Sequence, residues 1–322
     1  MPETASKVLA VSGGVGGAKL ALGLANVLPK EALVIVANTG DDFSHLGLSI
    51  SPDLDTVMYT LAGLSNRELG WGLAGETWHF MEALKRLQGE SWFQLGDRDL
   101  ATHLLRTQWL AEGKTLSEVT ALLCQRLGIE HNVLPMTDDP VATMVNTRDE
   151  QLAFQHYFVR DRCKPVVTGF EFRGMTAASP APGFAAALQD PALRQVIICP
   201  SNPFVSVDPV LKLPGVEDML ALRRGDAPVV AVSPIVGGQA IKGPAAKMMA
   251  ELGMPTSSLA VARHYEGRID ALVLDRADEE DAPAIEALGM ATLVTDTIMV
   301  TLADRVRLAE ETMALAEQLR QD

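Results

Sequence analysis

Three features of this chain predict an α/β fold: a Rossmann-like parallel sheet with helices on both faces and a mainly helical insertion. Short apolar runs alternate with amphipathic stretches near both ends of the 322 residues, as strands buried on both faces do. The first run, residues 8–11, breaks into a glycine-rich turn that opens a helix. Between about residues 63 and 173 the periodicity is mainly helical. Residues 1–62 and 174–322 therefore read as a nucleotide-binding core, and 63–173 as an insertion carrying a candidate strand pair.

The first strand runs into Ser12-Gly13-Gly14-Val15-Gly16-Gly17-Ala18-Lys19-Leu20. Without Cβ atoms, such a turn lets a phosphate lie against backbone N–H groups at a helix N-terminus. It matches neither standard motif. A dinucleotide fingerprint begun at Gly14 would need its third glycine at Lys19. A Walker A loop begun at Gly13 would find Ala18 and Leu20 where it needs a glycine and a Mg²⁺-binding hydroxyl. Lys19 can still meet a phosphate, with Gly13, Gly14, Gly16 and Gly17 as its cradle, while a metal must take its ligands elsewhere. A tight turn without a ligand would need fewer glycines.

Leu33–Ala37 reads as a second buried strand, ending at Asn38-Thr39-Gly40-Asp41-Asp42. Ser51 and Pro52 then form an N-cap and first-turn pair, followed by Leu54, Val57, Met58 and Leu61 at helical spacing. Helices are expected over 77–87, 100–110 and 116–127, and strand-like runs over 152–159 and 166–172. After residue 193 the alternation returns, with strands at 196–199, 229–232, 259–262, 271–274 and 292–294. Helices are expected at 216–223, 244–252, 282–288 and 298–321.

Hydrophobic residues make up 48% and charged residues 21% of the chain, ordinary for a soluble globular protein. The formal net charge of −14 argues against broad binding to nucleic acid or anionic membrane. An anionic substrate would need a local basic or metal-lined pocket. Cys124, Cys163 and Cys199 are isolated, which disfavours a disulfide framework or a zinc site. No leader pattern or membrane-length apolar run is seen, so a cytoplasmic location is expected.

Asp41 and Asp42 end the second strand, the position of a ribose-binding acid. With Asp53 and Asp55 close behind, they suggest a hard-cation site, since Mg²⁺ needs only one or two carboxylates once phosphates and water complete its shell. Asp53 and Asp55 also suit a first helical turn, where acids offset the macrodipole. Gly96-Asp97-Arg98-Asp99 is either a capped helix start or a phosphate clamp through Arg98. His103, one turn on, reads as a packing residue, and Thr137-Asp138-Asp139-Pro140 as a turn. Ser201 and Asn202, after a strand, offer donors to a base or phosphate. Ser233-Pro234-Ile235-Val236-Gly237-Gly238 repeats that layout, with Lys242 placed to face an anion.

Taken in order, these clusters, together with Leu134-Pro135-Met136-Thr137-Asp138-Asp139, resemble the 2-phospho-L-lactate transferase family of coenzyme F420 biosynthesis. The resemblance implies a Mg²⁺-dependent transferase on a Rossmann-like core, with small-molecule substrates and self-association as a homo-oligomer, a dimer. In the family reaction, a ribityl hydroxyl of 7,8-didemethyl-8-hydroxy-5-deazariboflavin attacks lactyl- or enolpyruvyl-diphosphoguanosine. The phospho-three-carbon acid moves to the deazaflavin and GMP leaves. On this reading Gly13 to Lys19 hold the diphosphate. Asp41, Asp42 and Asp53 hold Mg²⁺ or the attacking hydroxyl, with Asn38 and Asp55 beside the ligand. Asp42, Asp53 and Arg98 are the expected catalytic residues, Arg98 balancing charge on the transferred phosphoryl. Ser201-Asn202 and Gly237-Gly238 would hold guanosine. Val15 stands where many relatives have threonine. A related gluconeogenesis-factor branch, with similar motifs, consists of UDP-sugar-binding regulatory proteins and is the alternative.

Overall fold

A computed structural model describes residues 6–321. The chain opens with β1 (Lys7–Ser12), α1 (Gly14–Val27), β2 (Leu33–Ala37), the short hairpin β3 (Phe43–His45) and β4 (Leu48–Ile50), and α2 (Pro52–Leu61). Three helices follow, α3 (His79–Arg86), α4 (Asp99–Ala111) and α5 (Leu116–Arg126), then β5 (Asn132–Pro135), β6 (Ala142–Thr147), β7 (Gln151–Ala153) and β8 (Val167–Arg173). Next come α6 (Pro182–Gln189), β9 (Leu193–Ile198), α7 (Asp208–Leu211), α8 (Val216–Arg223), β10 (Val229–Val232), and the hairpin β11 (Ile235–Val236) and β12 (Gln239–Ala240). The chain closes with α9 (Ala245–Glu251), α10 (Ser258–His264), β13 (Ala271–Asp275), α11 (Ala282–Glu286), β14 (Ala291–Thr295) and α12 (Leu302–Gln321).

Seven strands form one sheet in the order β14-β13-β10-β9-β1-β2-β5, every pairing parallel. From β1 the chain winds outward through β2 to β5, then crosses to the other side of β1 and winds outward again through β9. The direction reverses between β1 and β9. Open α/β sheets bind ligands at such a switch point, outside the carboxyl ends of the strands. Both sheet faces are covered. Val8 and Ala10 of β1 share a core with Leu20, Leu24, Leu54 and Leu308, while Leu9 and Val11 belong to a second with Phe184, Val216 and Met248.

The fold class is as the sequence predicts, and the differences are local. Residues 259–262, expected as a strand, lie in helix α10, where the Ser257 hydroxyl accepts the Ala260 N–H at 3.1 Å. A four-residue apolar run carries no period to separate strand from helix, and here the serine cap decides. The run expected over 152–159 is strand only through Ala153 and then forms a one-turn π-helix, His156–Arg160. It does not pair with β8; both β7 and β8 pair with β6. Segment 63–173 also contributes β5 to the main sheet, on the far side of β2. The proline ending β5 suits an edge strand, which needs no further donors.

Asp208 shows how loops are tied beneath the switch point. Its buried carboxylate meets Lys212 Nζ at 2.7 Å, His264 Nε2 at 2.9 Å and Arg268 Nη1 at 3.2 Å. Burial pushes this carboxyl up, but His264 and Lys212 outweigh it and hold it below its ordinary value. A carboxylate lowered on folding stabilises above its unfolded pKa, about 4, and that stability is lost as pH falls through the folded value. Asp208→Asn is expected to lower the unfolding free energy by about 1–3 kcal/mol at neutral pH. Urea unfolding at a series of pH values should show the gap to wild type closing in acid.

Candidate active site

At the end of β1, Gly13 is extended and Gly14 turns to φ +62° to start α1. The Gly13 N–H donates to Ser201 Oγ (3.1 Å) and the Gly14 N–H to Asp53 Oδ1 (2.7 Å). The loop after β9 presses on this turn so closely that a Cβ at Gly16 would overlap the Pro200 carbonyl, and one at Gly13 would overlap Ser206. The glycines are therefore required by the joint between β1 and β9 as well as by any ligand. Val15 and Gly16 lie in the first helical turn, where amides have no intrahelical acceptor, and both line the cleft above. Lys19 Nζ reaches the Met299 carbonyl at 3.0 Å. Burial, then the charges of Arg305 and Lys242, lower its pKa.

Opposite the turn, Asp41 and Asp53 are both buried. Asn38 Nδ2 donates to both, at 3.1 Å to Asp41 Oδ1 and 3.0 Å to Asp53 Oδ2. Gln155 Nε2 donates to Asp41 Oδ2 at 3.2 Å. Burial, then the charges of Asp53 and Asp42, pushes the Asp41 carboxyl well above its ordinary range. Burial raises Asp53 to about 6, against hydrogen bonds from Asn38 and Gly14. Asp42 accepts the Ser51 hydroxyl at 2.6 Å through Oδ2, while its Oδ1 is buried without a partner. Crowded, desolvated carboxylates are the donor set of a hard cation, so these residues fit Mg²⁺. Asp41 and Asp53 are the two that face the cleft. No group of three acid, His or Cys side chains with metal-binding geometry occurs among the described residues, so phosphate and water oxygens would complete the shell.

A buried cation, which does not line the cleft, pairs with a neighbouring acid. Arg106 of α4, 1% exposed, forms a buried ion pair with Asp55. Its Nη1 is 3.1 Å from Asp55 Oδ2 and 3.3 Å from both the Ser49 carbonyl and His103 Nδ1. His103 Nε2 stands 3.2 Å from Asp99, which also accepts the Tyr59 hydroxyl. Helix α4 thus turns its polar side inward, burying Asp99, Thr102, His103 and Arg106 while Leu104 is 58% exposed. This network anchors the first turn of α2, and with it Asp53.

A cleft of about 560 Å³ opens over the switch point. Of the residues expected there, Gly13, Gly14, Gly16, Lys19, Asp41, Asp53, Ser201 and Asn202 line it. Asn38, Gly17, Asp42 and Asp55 do not: Gly17 packs on the Ser12 and Ser201 hydroxyls, and Asp55 is committed to Arg106. Arg98 also lies away from the cleft. Its side chain is exposed and donates to the Ala74 carbonyl (2.8 Å), while Glu76 accepts the Arg98 and Asp99 amides, so Gly96–Asp99 is a capped helix start. Gly237 and Gly238 form the two-residue turn of the β11–β12 hairpin, at φ +57° and +71°, with the Gly237 N–H on Asp278 at 3.1 Å. That mirror-image turn favours glycine on its own account. The neighbouring Val236, Ile241 and Lys242 line the cleft instead. Sequence reasoning missed Gln155, Ser206 and an aromatic wall of Trp71, Phe93, Phe154 and Phe158.

The family model for 2-phospho-L-lactate transferase CofD matches residues 8–315. The chain belongs to this family. Among its relatives, a phosphoenolpyruvate transferase of Kitasatospora aureofaciens is 41% identical over 98% of this chain and 99% of its own. A 2-phospho-L-lactate transferase of Methanosarcina mazei is 39% identical over 93% of this chain and 97% of its own. The crystal structure of a UPF0052-family protein from Bacillus halodurans shares the fold of this CofD-family chain. Its TM-score is 0.62 at 14% identity, over 96% of this chain and 99% of that one. No helix among the described residues is long and apolar enough to cross a membrane.

Removing one partner of a buried ion pair leaves an uncompensated charge, at a cost of about 3–5 kcal/mol. Arg106→Leu is expected to destabilise the CofD-family fold by that amount in chemical denaturation. The double variant Asp55→Leu/Arg106→Leu should recover most of the loss.

Proposed function

We propose that this chain transfers a phospho-three-carbon acid, 2-phospho-L-lactate or phosphoenolpyruvate, in coenzyme F420 biosynthesis. The donor is lactyl- or enolpyruvyl-diphosphoguanosine, the acceptor is the ribityl hydroxyl of 7,8-didemethyl-8-hydroxy-5-deazariboflavin, and GMP is released. The carrying observation is that one switch-point cleft joins a glycine turn, an acid pair and an aromatic wall, in a chain 41% identical to a phosphoenolpyruvate transferase.

Each wall has a task in this reading. The amides of Val15 and Gly16, with Lys19 and Lys242, bind the diphosphate, because Gly14 already serves Asp53. Ser201 and Asn202 lie beside them and orient the nucleoside end. Phe154 and Phe158 stack on one another with centroids 5.4 Å apart. With Trp71 and Phe93 they offer flat surface to the tricyclic ring of the acceptor. Asp41 and Asp53 would hold Mg²⁺, which when bound supplies charge neutralisation between hydroxyl and diphosphate. Asp53 is fixed by Asn38 and the Gly14 amide, so the acceptor hydroxyl is aligned by a rigid group. Asp42 works through Ser51 at the start of α2 and does not touch substrate. The proposal includes dimerisation, which light scattering checks, and a cytoplasmic location.

The test is a mass-resolved assay of the purified chain with Mg²⁺, the deazaflavin and each guanosine-diphosphate-linked donor. A new phosphodiester of the deazaflavin together with GMP is the expected outcome, and its mass names the acid transferred. Stabilisation by a UDP-sugar, with no product and no GDP binding, would overturn the reading in favour of the regulatory branch. Asp53→Asn is expected to reduce kcat by about a hundredfold, several kcal/mol of lost charge stabilisation. Asp42→Asn should lose less, and omission of Mg²⁺ should mimic Asp53→Asn in wild type.

A further inference from the structure

A second pocket, of about 260 Å³, lies where α1, the end of α2 and the start of α12 meet. Arg67 and Arg305 line it, with Asn26, Thr60 and Ser65 beside them. Arg305 is 7% exposed, and its Nε has no hydrogen-bond partner. Among the described residues, no carboxylate stands within ion-pair distance of either guanidinium. The neighbouring Asp304 is committed to Thr301 and the Val300 amide. Arg106, buried more deeply still, is by contrast paired with Asp55. An unpaired buried guanidinium is costly, and a second cation beside it raises the cost. Burial and the Arg67 charge accordingly lower the Arg305 pKa. In a chain of net charge −14, a buried, unpaired Arg305 with the exposed Arg67 at the same cavity suits an anion.

We infer that this pocket binds a small phosphate-bearing anion between Arg67 and Arg305. A phosphate dianion balances two guanidinium groups, where a single carboxylate would balance one. Its oxygens also suit the donor fork of arginine, with the Thr60 and Ser65 hydroxyls as further donors. The volume takes a phosphate with a small organic group and is below that of a drug-sized ligand site. The pocket shares its walls with the cleft. The segment that gives it Gly63, Ser65 and Arg67 gives the cleft Leu69, Gly70 and Trp71. Similarly, Thr297, Ile298 and Met299 line the cleft just before Leu302 and Arg305 line the pocket. A bound anion therefore restrains two loops of the cleft without entering it, and this holds whatever the cleft transfers.

The test is calorimetric titration of inorganic phosphate at constant ionic strength into wild type, Arg67→Gln and Lys242→Gln, followed by amide hydrogen exchange. Arg67 is exposed, so its replacement leaves the fold intact, and Lys242 lines only the cleft. Binding to wild type, weakened roughly tenfold or more by Arg67→Gln and kept by Lys242→Gln, is the expected result. Phosphate should also slow exchange over residues 63–71 in wild type and not in Arg67→Gln. Arg305→Met should match Arg67→Gln, and if it does not fold, Arg67→Gln decides alone. No phosphate binding by wild type overturns the inference. Equal affinity in Arg67→Gln does the same, as does loss in Lys242→Gln alone, which would place the anion in the cleft.

Discussion

Four carboxylates, Asp41, Asp42, Asp53 and Asp55, meet at the end of β2 and the start of α2, and a single guanidinium, Arg106, is buried with them. The rest of the site depends on how this charge is held. Each ionised carboxylate taken from water costs several kcal/mol unless paired or well hydrogen-bonded. Asp55 is paired, Asp53 has Asn38 and the Gly14 amide, and Asp41 has Asn38 and Gln155. The segment carrying α4 is therefore no accessory to the sheet. It delivers the one cation that lets α2 begin where it does, and so fixes Asp53 against the glycine turn. Arg106 leaves three raised carboxyls uncompensated: Asp41 and Asp53 face the cleft, while Asp42 does not line it and is held by Ser51.

The glycine turn answers a second constraint at the same place. At the switch point β1 and β9 diverge into loops that must still touch, and the carbonyl of Pro200 lies where a side chain on Gly16 would stand. Strand divergence opens the crevice, and the absence of Cβ atoms lets its two lips close on each other beneath the ligand. Packing and ligand approach place the same demand on these positions. The Ser201 hydroxyl, bonded to the Gly13 amide, joins the lips directly.

These demands explain which parts were legible in the sequence. The strand-to-helix turn at Gly13–Lys19 and the acid-rich end of β2 announce themselves because backbone geometry and charge are written in consecutive residues. Helix α8 was bounded correctly, at Val216–Arg223. What stayed hidden depends on partners far away in the chain. Helix α4 buries its polar side because Asp55, some fifty residues earlier, waits for Arg106. Leu105 and Trp109 also pack inward, so apolar spacing alone does not reveal the buried polar face, although Asp99, His103 and Arg106 together were a signal. Gly237-Gly238 and Arg98, expected at the ligand, do not line the cleft, and the reason is the opposite one. A hairpin turn and a helix cap use the same residues as a ligand loop, and only the surrounding geometry separates them.

The charge distribution also bears on how an anionic substrate reaches so acidic a molecule. A net charge of −14 repels a diphosphate at long range, but screening confines that repulsion to about 8 Å at physiological ionic strength. Within that distance the local arrangement decides. Lys242, Lys19 and Arg305 lie close enough for the two outer charges to lower the pKa of Lys19 between them, and Arg67 stands beyond Arg305. Lys19 and Lys242 share the cleft lining with Asp41 and Asp53, so the site carries charge of both signs. On the proposed function, a diphosphate would be drawn to the lysine side of the cleft. Direct contact between phosphate oxygens and the carboxylates is repulsive, and on that function Mg²⁺ held by Asp41 and Asp53 would supply the charge neutralisation. The aromatic lining of Trp71, Phe93, Phe154 and Phe158 carries no charge and suits a flat, uncharged ring. On the proposed function, the separation of charged and aromatic lining would orient the two substrates before they react.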